Sequence, residues 1–237
     1  MRTGAIVLAA GAAIALAGCG GSSGPASSVA SATAAPANGK LTADAIIAQL
    51  KTAMKNANSV HVAGTVTDSG TSDSLDLAMT TAGSLSGTIS SAGTKLEIIE
   101  AGSTAYIKVT NGFLKLAHAP AGVCAKFCGK YVATSQADSK QITGDLSLTK
   151  LLQQITQSMP KFTKVGTTTV NGQQAVVLHG NDGSILDVAG SGPPYPLRAI
   201  APKSSNEGQL DFTDWNAVPA IAAPPASQVI SLSQLAG

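Results

Sequence analysis

The change of residue pattern that decides the fold lies within residues 46–66, which read IIAQLKTAMKNANSVHVAGTV. In its first half, apolar residues recur every three or four positions, as they do along one side of an α-helix. In its second half, Val60, Val62 and Val66 alternate with other residues, as in a half-buried β-strand. The sequence therefore predicts a helix that leads directly into a β-sheet.

The helix before this change has a recognisable beginning and end. Thr42 is a suitable N-cap, and Asp44 lies in the first turn, where the helix dipole favours negative charge. Asn58 and Ser59 end the helical pattern. The apolar stripe consists of Ile46, Ile47, Leu50, Met54 and Ala57.

Short alternating segments then follow along most of the chain. Predicted strands after the first are 74–81, 85–91, 95–101, 104–110, 162–170, 174–179, 184–188, 197–201 and 209–212. Asn111-Gly112 and Asn171-Gly172 predict type I′ hairpin turns, because both central residues of such a turn need positive φ. The connections are too short for the crossover helices of parallel strands, so we expect antiparallel pairing. Residues 219–225 are too rich in proline for a central strand and predict a surface segment.

A second helix is predicted in the middle of the chain. Asp145 or Ser147 can cap it, and Pro160 ends it. Its apolar stripe consists of Leu148, Leu151, Leu152, Ile155 and Met159.

These elements predict a mainly β (α+β) domain of about ten or eleven strands with two main helices. Strands about 4.8 Å apart make a sheet nearly 50 Å wide, whereas two helices about 10 Å in diameter cover at most about 20 Å of one face. The sheet must therefore close or fold onto itself, or curl around the helices and leave an apolar hollow. Periodicity alone leaves a sandwich, a barrel and a curled half-barrel open.

The N-terminus has the pattern of a bacterial lipoprotein signal. Arg2 precedes an apolar run of about twelve residues, 5–16, whereas a membrane-spanning helix needs roughly twenty. Residues 16–19, LAGC, resemble a lipobox, in which the thiol of Cys19 receives a diacylglyceryl group and the anchor carries fatty acids such as palmitate. The alternative is an ordinary secretory signal followed by an incidental cysteine.

We therefore predict a signal peptide at 1–18, a lipidated Cys19 and disordered Ser/Ala/Gly tether at 19–39, and a single domain at 40–237. Residues 20–39 have no charge and no periodicity, so they cannot bury enough surface to fold. The anchor predicts localisation at the cell membrane, on its extracytoplasmic face. In that compartment, Cys124 and Cys128 are most simply a disulfide, since a zinc site needs more ligands and a redox motif is usually CxxC.

Composition and motifs argue against several function classes. The chain has 15 Lys+Arg against 13 Asp+Glu, with only 3% aromatic residues, which disfavours nucleic acid as a partner. Its three histidines, His61, His118 and His179, stand in no arrangement that supplies a nucleophile and a base. We predict no enzymatic activity, no cofactor and no metal site.

Seven features in their order along the chain resemble actinobacterial lipoproteins similar to mycobacterial LppX and LprG. They are the lipobox and tether, the Leu-rich middle helix, and the segments 53–62 (AMKNANSVHV), 166–172 (GTTTVNG), 191–198 (SGPPYPLR) and 212–216 (FTDWN). The resemblance covers about residues 40–232. It implies a LolA-like curled antiparallel half-barrel, with helices against the concave face and a hydrophobic cavity that holds lipid or a lipid-linked glycan for transfer through the envelope.

The resemblance matches no ligand-contacting motif residue by residue, so the cavity candidates come from the apolar stripes. They are Ile46, Leu50, Met54, Ile107, Val109, Leu148, Leu151, Leu152 and Ile155. These residues could equally fill a closed core. We expect a monomeric lipid-binding lipoprotein; the alternative is a tethered interaction or sensory module with the same fold and no lipid cargo.

Overall fold

One twelve-stranded sheet runs through the residues that the computed structural model describes, which are 37–68, 70–120, 122–135, 146–202 and 208–235. The strands, in chain order β1 to β12, are Ser59–Asp68, Thr71–Thr80, Leu85–Ser91, Thr94–Ala101, Thr104–Lys108, Tyr131–Ser135, Phe162–Val170, Gln173–Gly180, Ile185–Ala189, Pro196–Ile200, Gly208–Thr213 and Val229–Ser231. Their order in the sheet is β12-β6-β5-β4-β3-β2-β1-β11-β10-β9-β8-β7. The two outer strands do not pair with each other, so the curled sheet is not closed.

Two long α-helices and three short α-helices accompany the sheet within the described residues. They are α1 (Ala43–Lys55), α2 (Asn111–Leu116), α3 (Val123–Phe127), α4 (Leu148–Gln157) and α5 (Leu232–Leu235). The two long helices, α1 and α4, are the two main helices that the sequence predicts.

Both long helices begin at side-chain caps. The Thr42 hydroxyl accepts a hydrogen bond from the Ala45 amide at 3.3 Å, and the Ser147 hydroxyl accepts one from the Lys150 amide at 3.1 Å. Each cap satisfies an amide that the helix itself leaves without a partner. Ser147, one of the two predicted caps of α4, is thus its N-cap, and Asp145 lies outside the described residues.

The predicted hairpin turn at Asn111-Gly112 is wrong, because these residues begin helix α2. The hydroxyl of Thr110 accepts a hydrogen bond from the Phe113 amide at 3.1 Å and so caps that helix. The following residues Phe113 and Leu114 are buried in the core. An N-cap hydroxyl and two buried side chains therefore outweigh the local turn preference of Asn-Gly.

The expectation of purely antiparallel pairing is wrong at one edge. Strand β12 pairs in parallel with β6, and Ile230 lies opposite Val132. The chain reaches this edge through the predicted surface segment, residues 219–225, which contains no helix or strand. Almost a hundred residues, which include α4 and strands β7 to β11, separate the two partners, far more than the dozen that a parallel connection requires.

One row of residues runs across eight strands on the face that packs against α1 and α4, which we call the inner face. Directly opposed residues of neighbouring strands share a face, so register alone defines the row. We call it the closed row: Phe212, Val62, Leu77, Gly87, Ile98, Ile107, Val132 and Ile230. Its seven side chains are at most 5% exposed and lie in the main core with the buried residues of both long helices.

The register also defines two rims of the sheet. At the upper rim, strands β1, β3 and β5 end and strands β2, β4 and β6 begin; at the lower rim the reverse holds. The first described residue, Ala37, bridges to Ser191 just after β9, at the lower rim. Residues Asn38–Lys40 form a 3₁₀ helix and Asn38 is buried, so the disorder predicted for 19–39 does not extend to residues 37–39. The connection between β5 and β6, which carries α2 and α3, projects from the upper rim.

Candidate functional site

A second row of the inner face lies two residues nearer the upper rim than the closed row. We call it the open row: Leu178, Leu186, Ala199, Leu210, Gly64, Leu75, Ile89 and Leu96. Leu178 and Leu186 are buried, but the side chains from Ala199 to Leu96 are only partly buried. Apolar side chains of this kind on an inner face leave favourable contact area for a hydrophobic ligand.

Helix α4 lies over the open row and leaves space beneath it. A pocket of about 350 Å³ separates Ile155 and Met159 of the helix side from Ala199 and Leu210 of the sheet. A smaller pocket of about 90 Å³ lies between Leu151 and the sheet, and Leu210 lines it as well. We call these two adjoining pockets the trough.

The trough opens at the upper rim through a polar mouth. Asp182 and Ser184 line that mouth, and the Ser184 hydroxyl donates a hydrogen bond to the Asp182 carboxylate at 2.6 Å. This hydrogen bond, together with one from the Ser184 amide, lowers the pKa of Asp182. A carboxylate therefore stands charged at the entrance, while the interior is lined by apolar side chains.

A further pocket of about 360 Å³ lies on the other side of α4, at the lower rim. Its apolar floor includes Met54, Ala57 and Leu152, and its edge carries Lys51 and Lys55 from α1. These lysines are exposed and lie near the C-terminus of α1, where positive charge also complements the helix dipole. Helix α4 therefore has open space on two sides.

The structure divides the predicted cavity residues between core and pockets. Ile155 and Leu151 face the trough, and Met54 and Leu152 line the pocket at the lower rim. The remaining five residues lie in the main core at no more than 1% exposure: Ile46, Leu50, Ile107, Val109 and Leu148. Whether any of the nine contacts a ligand stays a prediction.

Several trough residues are not among those candidates. They come from the later strands and the residues just after α4, and include Met159, Phe162, Ile185, Ala199 and Leu210. Strand periodicity marks Leu210 as inward-facing, but it does not reveal which inward residues lack a covering neighbour. Ala199 could have been identified from sequence, since a small residue that lies between Leu186 and Leu210 leaves space in the row.

The disulfide predicted from Cys124 and Cys128 is present and spans helix α3. The histidines lie apart: His61 is on the outer face of β1, His118 is in the turn after α2, and His179 is exposed on β8. His61 Nε2 is 2.6 Å from the Asp76 carboxylate, and its Nδ1 is 3.1 Å from the Thr213 hydroxyl.

The described residues contain neither a metal-binding cluster nor a membrane-spanning helix. Among these residues, no group of three or more His, Cys, Asp or Glu side chains is placed to hold a metal ion. Within the same residues, no helix has both the length and the apolar character needed to cross a bilayer.

Comparison with solved structures finds the same arrangement of sheet and helices in a mycobacterial protein. The crystal structure of LprF from Mycobacterium bovis superposes with a TM-score of 0.57 and 16% identity, covering 81% of this chain and 100% of LprF. The chain has the LolA-like fold of LprF. The lipoprotein LppX from Mycobacterium tuberculosis also matches, with a TM-score of 0.49, 17% identity, and coverage of 76% of this chain and 100% of LppX. No family model and no curated protein matches the sequence.

The LolA-like fold confirms the curled half-barrel among the architectures that periodicity left open. It also confirms, at the level of fold, the resemblance to LppX/LprG-like lipoproteins that the order of sequence features indicated. In this chain, the trough lies between the inner face of that half-barrel and α4.

Proposed function

We propose that the protein is a lipoprotein of the extracytoplasmic face of the cell membrane that binds a lipid or other amphiphile in the trough, for transport or transfer within the envelope. The observation that carries the proposal is the half-buried open row beneath α4, next to a fully buried closed row. An acyl chain laid along the open row would remove its exposed apolar surface from water, and each buried CH₂ group contributes about 0.8 kcal/mol.

The size and polarity of the trough support this ligand class. Its main pocket, about 350 Å³, lies in the usual range for ligand pockets of about 300–1,000 Å³. The charged Asp182 and the hydroxyl of Ser184 stand at the mouth, so a polar headgroup can remain hydrated there while the chain enters. Flat aromatic ligands are less well matched, because the trough offers branched aliphatic side chains and a single phenylalanine, Phe162.

The membrane location rests on Cys19 and the tether that follows it. Two acyl chains on Cys19 suffice for stable anchoring, so the protein needs no transmembrane helix. A variant with Cys19→Ser should move from the membrane fraction to the soluble fraction after cell lysis. If the variant stays with the membranes after an alkaline wash, Cys19 is not the anchor.

The lipid proposal is tested by native mass spectrometry. The chain from residue 19 onward, with Cys19→Ser, retains every residue that the structure describes and can be expressed in an actinobacterium and purified without detergent. We expect a population with additional mass that organic extraction releases as lipid. We also expect that extraction lowers the midpoint of thermal unfolding, because a ligand that binds only the folded state stabilises it.

A pocket-filling variant and a matched control locate the ligand. Ala199→Phe places a ring in the trough and should remove most of the bound lipid, whereas Ala222→Phe, at an exposed position outside the helices and strands, should retain it. Lipid-free wild-type protein, or equal lipid content in both variants, would overturn the proposal. A lipid-free protein that instead copurifies stoichiometrically with another protein would support the tethered interaction module.

A further inference from the structure

The connection between β5 and β6 forms a small folded projection, which we call the knob and which consists of the described residues 111–120 and 122–130. Two hydrogen bonds close its base: the Val109 amide donates to the Lys130 carbonyl at 2.8 Å, and the Gly129 amide donates to the Val109 carbonyl at 2.9 Å. Phe113 and Leu114 anchor it in the core, and the Cys124–Cys128 disulfide spans its second helix, α3. The knob therefore has a fixed surface.

The charge of the knob is entirely positive. Residues 101–137 contain no Asp or Glu, and the knob contributes Lys115, Lys126 and Lys130. None of these three lysines forms an ion pair with another described residue. By contrast, Lys108, just before the knob, is 2.9 Å from the Glu97 carboxylate and is thus neutralised.

The knob also exposes apolar side chains beside these lysines. Leu116, next to Lys115, is 56% exposed and is the most exposed large apolar side chain in the described parts of the chain. Pro120 is exposed as well, while Val123 and Phe127 are partly buried. An exposed leucine on the same small element as lysines that pair with no described carboxylate fits a surface that offers both negative charge and an apolar layer just below it.

The position of the knob relates this surface to the trough. The knob projects from the upper rim, and the mouth of the trough opens at the same rim through Asp182 and Ser184. We propose that the knob docks on the headgroups of an anionic phospholipid bilayer, with Leu116 entering the interface, so that the mouth of the trough faces the membrane. This docking is separate from ligand binding and from the anchor at Cys19.

The tether is long enough to allow this orientation. Seventeen residues, 20–36, separate Cys19 from Ala37 at the lower rim. They span at most about 56–61 Å when extended, whereas a ten-residue strand such as β1 measures about 33 Å. An anchored protein can thus turn its upper rim toward the bilayer that holds it.

Vesicle flotation tests the docking with the chain from residue 19 onward carrying Cys19→Ser. We expect binding to vesicles of phosphatidylglycerol and little binding to vesicles of phosphatidylcholine, with weaker binding as salt shortens the range of the attraction. Replacing Lys115, Lys126 and Lys130 with Gln should weaken binding by roughly a hundredfold, at about fivefold per lysine. Leu116→Ser should weaken it by roughly tenfold.

Two control variants distinguish docking by the knob from attraction by the overall positive charge of the protein and from lipid binding in the trough. Lys40, Lys51 and Lys55 are exposed elsewhere, so replacing these three with Gln changes the net charge equally and should leave vesicle binding within about twofold. Ala199→Phe, which blocks the trough, should also leave it unchanged. Equal binding to both kinds of vesicle, no binding to either, or equal loss in the two lysine triples would overturn the proposal. Circular dichroism of each variant excludes unfolding as the cause.

Discussion

The closed row and the open row are neighbours on one face of one sheet, yet they differ in how far they are buried. Leu77 of the closed row is 1% exposed, whereas Leu75, two residues away on the same strand and the same face, is only partly buried. The strand pattern is the same at both positions, so the difference comes from what lies above them. Neighbouring rows can thus divide stability and ligand contact between them.

The largest expected loss of stability comes from truncating a side chain of the closed row. Leu77→Ala should lower the free energy of unfolding by about 2–5 kcal/mol, because it leaves a cavity in a packed core. Leu75→Ala should cost only about 1 kcal/mol in lipid-free protein, since part of its surface already contacts water. Urea unfolding of the two variants measures the difference.

Bound lipid should change the stability costs of these two variants differently. If an acyl chain covers the open row, the cost of Leu75→Ala should rise when unfolding is measured before lipid extraction, whereas that of Leu77→Ala should stay the same. Equal costs for the two variants in lipid-free protein would mean that the open row is packed as tightly as the closed one.

Each row contains one glycine, Gly87 in the closed row and Gly64 in the open row, at a place where the backbone of the neighbouring strand lies very close. A Cβ atom on Gly87 or Gly64 would lie 2.0 Å from the carbonyl oxygen of Asp76 or Gln209, in the neighbouring strand. Either substitution by Ala should destabilise the protein by about 1–3 kcal/mol, and by similar amounts, because the obstacle is backbone rather than core or ligand. Thermal unfolding measures both variants.

Gly166 provides the matched control for these glycines. A Cβ there would meet no atom within 4 Å, and its φ is not in the left-handed region. Gly166→Ala should therefore leave stability unchanged or raise it by up to about 1 kcal/mol, since it reduces the entropy of the unfolded chain. If Gly64→Ala were as harmless as Gly166→Ala, the open row would not need its close strand approach.

A feature of the fold or of the candidate site can be predicted from sequence when the interactions that determine it are local in the chain. The bounds of β3 and β7 were predicted to the residue, and both long helices follow from caps and stripes near Thr42 and Ser147. The Asn111-Gly112 hairpin failed because burial of Phe113, a tertiary effect, selects the helix capped by Thr110. The open row was beyond prediction, because its exposure depends on where α4 lies across the sheet.

The smallest effect concerns the outer face behind the open row. Arg198 and Asp211 flank Ala199 and Leu210 in sequence, and the guanidinium donates two hydrogen bonds to the carboxylate, at 2.6 and 2.9 Å. These bonds lower the pKa of Asp211. The stability they provide is therefore present above the unfolded pKa of about 3.9 and is lost as the pH falls through the lower folded value.

Replacing Asp211 with Asn should thus cost about 1 kcal/mol of stability at pH 7, and this cost should vanish in strong acid. The value is modest because a quarter of each side chain is exposed.

Asp187, next to this pair on β9, shows the opposite behaviour, since burial raises its pKa. Its neutral form favours folding, and that contribution is lost as the pH rises through the raised value, so Asp187→Asn should be neutral or stabilising at pH 7. Urea midpoints of both variants from pH 3 to pH 7 test these signs. If the stability change caused by Asp211→Asn and that caused by Asp187→Asn varied with pH in the same way, the opposite pKa shifts of the two carboxylates would be contradicted.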